Sequence, residues 1–217
     1  MEKSKILHII AAMLVFAAII SFSFIIKNNS DQVPKAIAFS VIFILVIVLA
    51  KKAAANALDA DVEHEIWEVS RYGLRAGWHL EKPIPAGIIL PIFISIFSLG
   101  TLIVPTFLTY ETRALKRRAA KRFGFYSYTE MTDWHIALIG AAGIIAALIV
   151  SIVLYSVKYN LEYFAIISTL YAFFNMVPFS KLDGAQIFYG SKLLWTTLAL
   201  VTVLFVIYAT LIAIHII

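Results

Sequence analysis

Cysteine is absent from all 217 residues. That removes disulfides, thiolate zinc ligands and cysteine nucleophiles together, so any metal must be held by histidine and carboxylate. Charge is also scarce: Asp, Glu, Lys and Arg make up 14% of the chain, against roughly 25% in a water-soluble domain. With 62% hydrophobic residues and a mean hydropathy of +0.91, an ordinary soluble domain is excluded, and the composition is that of an integral membrane protein. The net charge of +5 does not point to nucleic acid, because the basic residues gather beside apolar runs, where they report orientation and anionic lipid contact. No internal repeat of transporter type is visible, which argues against a carrier.

What is present is a series of apolar runs. Residues 6–26, interrupted only by His8 and serine, are long enough at 1.5 Å per residue to cross a core of about 30 Å. No small-residue cleavage pattern follows at Lys27-Asn28-Asn29, so an uncleaved span is expected rather than a signal peptide. Pro34 opens a second helix that runs from Ala36 through Ala50 and on to Leu58, with Lys51 and Lys52 expected to snorkel. Further spans are expected at 135–157, 163–177 and 193–217, giving an all-α membrane protein with about five crossings in a single polytopic domain over 1–217.

The apolar run from Gly87 to Tyr110 is cut by Pro91, Gly100 and Pro105 and is expected to re-enter rather than cross. Arg113, Lys116, Arg117, Arg118, Lys121 and Arg122 mark a cytoplasmic segment under the positive-inside rule. Re-entry puts them on the same face as the charged stretch 51–85, and makes 51–85 and 111–134 cytoplasmic or interfacial segments. The expected location is the plasma membrane of a prokaryote, with the lipid bilayer as the first partner.

Acidic residues are few, and their placement is therefore informative. Asp183 ends a bilayer-depth run, where an ionised carboxylate costs several kcal/mol unless something compensates it; it must have a partner. Pro178 and Gly184 on either side of it favour a broken helix. A second cluster runs from Asp59 through Asp61, Glu63, His64, Glu65 and Glu68. Read as a continuation of the second helix, it places residues four apart on one face, with three competing pairs: His64/Glu68, Asp61/Glu65 and Asp59/Glu63. The bland alternative is an exposed amphipathic helix with solvated acids and Trp67 at the interface. His79 and His135 are reserve ligand candidates that read more simply as interfacial residues.

The stretch Asn175-Met176-Val177-Pro178-Phe179-Ser180-Lys181-Leu182-Asp183-Gly184 resembles the second signature of the site-2 protease (M50) group of intramembrane metalloproteases. The resemblance implies that Asp183 is a zinc ligand and that Asn175 and Pro178 help to hold the substrate strand, with Leu182 and Gly184 completing the motif. The same group carries His-Glu-x-x-His on a helix, where this chain has His64-Glu65-Ile66-Trp67-Glu68. Under the resemblance His64, Glu68 and Asp183 hold zinc with an open fourth position, and Glu65 activates water. Oxygen-rich ligands of this kind also suit harder metals.

Arg71-Tyr72-Gly73-Leu74-Arg75-Ala76 resembles the segment after the family's zinc helix, but Gly73 lies only nine positions beyond His64. Aligning on Gly73 brings Asp61 and Glu65 into the ligand positions instead, so the register stays open. The run from Ile136 to Leu148 resembles the family's glycine-containing helix, although Gly140 and Gly143 with their neighbouring alanines also permit close helix approach without any catalytic role. The resemblance implies a site-2-protease-like core that hydrolyses peptide bonds of a transmembrane or membrane-associated substrate. The alternative is a non-catalytic membrane protein with a decayed metal site that binds transmembrane helices of partners.

Overall fold

Four helices are long and apolar enough to cross a membrane in the computed structural model, which describes residues 2–71, 79–115, 131–157 and 161–216: Ile6–Ile26, Ser30–Ala57, Asp133–Ser156 and Lys192–Ile212. They belong to α1 (Glu2–Ile26), α2 (Val33–Ala57, entered through a 3-10 turn at Ser30–Gln32), α4 (Asp133–Ser156) and α7 (Lys192–Ile216). Shorter elements lie between them: β1 (Ala60–Ile66), β2 (Val69–Arg71), β3 (His79–Ile84), α3 (Ala86–Phe97), β4 (Leu108–Ala114), α5 (Glu162–Asn175) and α6 (Asp183–Gly190). The run expected to cross at 163–177 forms α5, whose 14 residues span about 21 Å, short of the hydrocarbon thickness. The Gly73 motif and most of the basic run at 113–122 lie outside the described residues.

The acidic cluster is a strand, not the helix that the i, i+4 reading expects. Asp59, with φ +52°, ends α2 in the left-handed conformation that Asp tolerates better than most residues. Beyond it the backbone is extended. Ala60, Val62, His64 and Ile66 are buried, while Asp61 is exposed and Glu63 and Glu65 are half-buried. β1 pairs with β4 in opposite directions: the Trp67 amide donates to the Phe107 carbonyl, and the Leu115 amide to that of Asp59.

The chain divides into two compact units, Met1–Val41 with His64–Thr109, and Ile42–Glu63 with Tyr110–Ile217. In the first, the segment after β3 folds into a closed hairpin. The Gly87 amide donates to the Trp67 carbonyl at 2.8 Å, and the Phe107 amide donates back to the Gly87 carbonyl at 3.2 Å, so both ends of the run meet. A Cβ on Gly87 would stand 2.5 Å from the Phe107 carbonyl oxygen, which is why the approach needs glycine. α3 runs beside α1 until Ser23 Oγ donates to the Gly100 carbonyl at 2.6 Å; the chain then returns to Thr106, whose hydroxyl donates to the Ala12 carbonyl. Leu99 and Gly100, both at positive φ, make the bend. Trp67 lies in this core, edge-on to Phe107 with ring centroids 5.9 Å apart, rather than at an interface. β2 and β3 form an antiparallel pair with an irregularity between Val69 and Arg71.

In the second unit α4 packs against α5 and α6, and α7 against α5 and α6. A polar seam joins α4 to α5: Ser151 Oγ donates to the Ala165 carbonyl at 3.0 Å and lies 2.8 Å from the Thr169 hydroxyl, the kind of bond that holds helices together where no hydrophobic gradient does. Ala55, Ala60, Val62, Tyr110 and Ile139 form a separate apolar cluster.

Candidate functional site

α5 stops at Asn175 because Pro178 cannot continue the ladder. The chain turns through Ser180 at φ +54° and restarts as α6 with Leu182 extended at the N-cap. Asp183 is therefore the first residue of α6, where the positive end of the helix dipole favours a carboxylate. Gly184 sits against the turn it has just left: a Cβ there would lie 2.1 Å from the Met176 carbonyl oxygen. The broken helix expected from Pro178 and Gly184 is what the chain forms.

The partner that Asp183 requires is Lys51. Its Nζ lies 2.6 Å from Asp183 Oδ2, and both side chains are fully buried. The lysine comes from α2, was expected to snorkel, and instead runs inward across α4. Its route is open only because position 143 is glycine: a Cβ there would stand 2.4 Å from Lys51 Cε. The ammonium also lies 4.6 Å from the centroid of the Tyr110 ring, a favourable cation–π distance. Tyr110 donates its hydroxyl to the Ile136 carbonyl at 2.8 Å and occupies the space left by Gly140, where a Cβ would meet the phenol oxygen at 2.5 Å. The two glycines of α4 thus receive side chains of their own chain.

Burial pushes the Asp183 carboxyl above its ordinary value, and the Lys51 ammonium works against that push. The Tyr110 phenol is driven well above its usual range, first by burial and second by the charge on Asp183. Among the described residues no hydrogen-bond partner completes Lys51 Nζ or either carboxylate oxygen, so each charge depends on the other.

The remaining expected site residues sit on or beside other elements. His64, Glu65 and Glu68 belong to the first unit and Asp183 to the second. His64 is buried on the apolar side of β1, Glu65 is half-buried on the opposite side, and Glu68 is exposed beyond the strand. Along a strand, residues four apart are separated by about 13 Å, so the helical adjacency that made His64 and Glu68 a metal pair does not exist. Asp61/Glu65 and Asp59/Glu63 lose it equally. Glu63 instead meets Arg113 at 3.1 Å. His79 opens β3, and the His135 ring contacts the Thr132 hydroxyl at the start of α4. Asn175 is buried and turned back on its own helix, its amide donating to the Tyr171 carbonyl at 3.0 Å.

Zinc at Asp183 would need further nitrogen, oxygen or sulfur donors. The group in contact is an ammonium, which has no lone pair to give, and among the described residues no three His, Cys, Asp or Glu side chains gather to hold a metal. The donor set does not fit the ion that the motif implies. The sequence reading missed Lys51, and the clue was available: a buried carboxylate needed a cation, and α2 carried Lys51 and Lys52 side by side near its end. No protein-family model, curated protein or solved structure matches the chain.

Proposed function

We propose that this chain is a non-catalytic membrane protein that keeps site-2-protease-like features around a decayed metal site and binds transmembrane helices of partners. The observation that carries the reading is the Lys51–Asp183 contact at 2.6 Å. The carboxylate to which the motif gives the metal is occupied by a charge of its own chain. The helix that reaches Asp183 is α2, and the side chain one turn before Lys51 on the same face is Ile47, itself buried. Ile47 has no donor atom, and Lys51 as the ammonium paired with Asp183 has no lone pair to offer a metal.

The metal content of detergent-purified protein tests this reading. Wild type and Asp183→Ala are expected to be equally free of stoichiometric divalent metal, and a chelator is expected to leave the melting temperature of the wild type unchanged. Zinc bound one to one, and lost on Asp183→Ala, would overturn it.

A further inference from the structure

The Lys51 side chain is matched along its whole length by its surroundings. Gly143 leaves room for Cγ, Cδ and Cε, where a Cβ would approach them to 3.2, 3.4 and 2.4 Å. The Tyr110 ring faces the ammonium at 4.6 Å, and the Asp183 carboxylate closes the far end. A slot shaped for an alkyl chain and ending on a buried anion is a recognition site for a primary ammonium. Here the chain itself supplies the occupant.

We propose that Lys51 is the tethered occupant of a cation site at Asp183, and that cutting its side chain back to Cβ leaves a site that takes up a free primary alkylammonium of matching length. The proposal rests on the reading of Asp183 as paired with an ammonium rather than a metal. Selectivity follows from shape and charge together. The three carbons and one nitrogen lost in Lys51→Ala are those of n-propylammonium, while 1-propanol fills the same slot without the charge. A buried carboxylate stripped of its counter-charge is strongly destabilising, so the free cation gains what the protein has lost.

The full chain in detergent is used throughout, with the melting temperature as the readout. Lys51→Ala is expected to melt lower by on the order of 10 °C. n-Propylammonium chloride restores most of that loss, whereas 1-propanol and sodium chloride at equal concentration do not. Lys51→Ala/Asp183→Leu does not respond to the amine. Gly143→Ala lowers the melting temperature of the wild type, because the new methyl displaces Cε, and does not lower it in the Lys51→Ala background.

Should Lys51→Ala fail to fold, the pair Lys51→Met and Lys51→Met/Asp183→Leu decides the question. The double variant is expected to recover wild-type stability or better, since an apolar pair of similar volume replaces a buried ion pair at little or no cost. A double variant no more stable than Lys51→Met, a Lys51→Ala protein as stable as wild type, or equal rescue by amine and alcohol would each overturn the proposal. Stoichiometric zinc in the wild type would overturn the functional reading; a metal-free wild type whose Lys51→Ala variant ignores the amine would overturn this proposal alone.

Discussion

Two positions in the Asn175–Gly184 stretch separate what the motif needs for folding from what it would need for chemistry. At Gly184 the obstacle to a side chain is backbone, the Met176 carbonyl at 2.1 Å for its oxygen and 2.3 Å for its carbon. Backbone in a turn between two packed helices does not yield as a side-chain tip does. Gly184→Ala is expected to cost about 2–4 kcal/mol, measured by reversible unfolding in mixed detergent, and a variant within about 0.5 kcal/mol of wild type would show that the turn has slack. Asn175 differs. Its amide adds one bond to a carbonyl of its own helix, and its Oδ1 is buried with no hydrogen-bond partner among the described residues. Losing a modest bond and an unpaired acceptor together should nearly cancel, so Asn175→Ala is expected to change stability by less than about 1 kcal/mol. The motif was legible as a broken helix around a carboxylate because Pro178 and Gly184 act through local sterics. The identity of the counter-charge was not, since Lys51 lies 132 positions away and nothing in its neighbourhood distinguishes it from Lys52.

At the scale of elements, the acidic cluster shows how a family motif can hide a plainer signal. Ala60, Val62 and Ile66 alternate with Asp61, Glu63 and Glu65, a period of two that belongs to a half-buried strand. Reading His64 and Glu68 for a spacing of four imposed a helix on it. Asp59 at the end of α2 was equally readable as a helix stop, because Asp and Asn enter the left-handed region at little cost. As a strand, β1 uses the Glu65 carbonyl, which accepts the Thr109 hydroxyl at 3.2 Å, rather than the Glu65 carboxylate. Thr109→Val is therefore expected to lose about 1 kcal/mol, while Glu65→Gln changes stability by no more than about 0.5 kcal/mol. The reverse order in unfolding free energy would mean that the Glu65 carboxylate, not its carbonyl, holds the strand in place.

For the whole molecule, the decisive feature is how the chain passes the run from Gly87 to Tyr110. Positive-inside charge favoured re-entry; the Phe107 amide donates to the Gly87 carbonyl, so the two ends of the segment meet. α3 has 12 residues, about 18 Å of helix, too short to cross alone, and its bend lies against Ser23 of α1. Glu81 before the hairpin and Glu111 after it are both exposed, and with no native cysteine to interfere, each can carry a single reactive thiol. In oriented vesicles, Glu81→Cys and Glu111→Cys are expected to react with a membrane-impermeant maleimide from the same side. Labelling from opposite sides would mean that the segment crosses and that the Gly87–Phe107 hydrogen bond does not form in the bilayer.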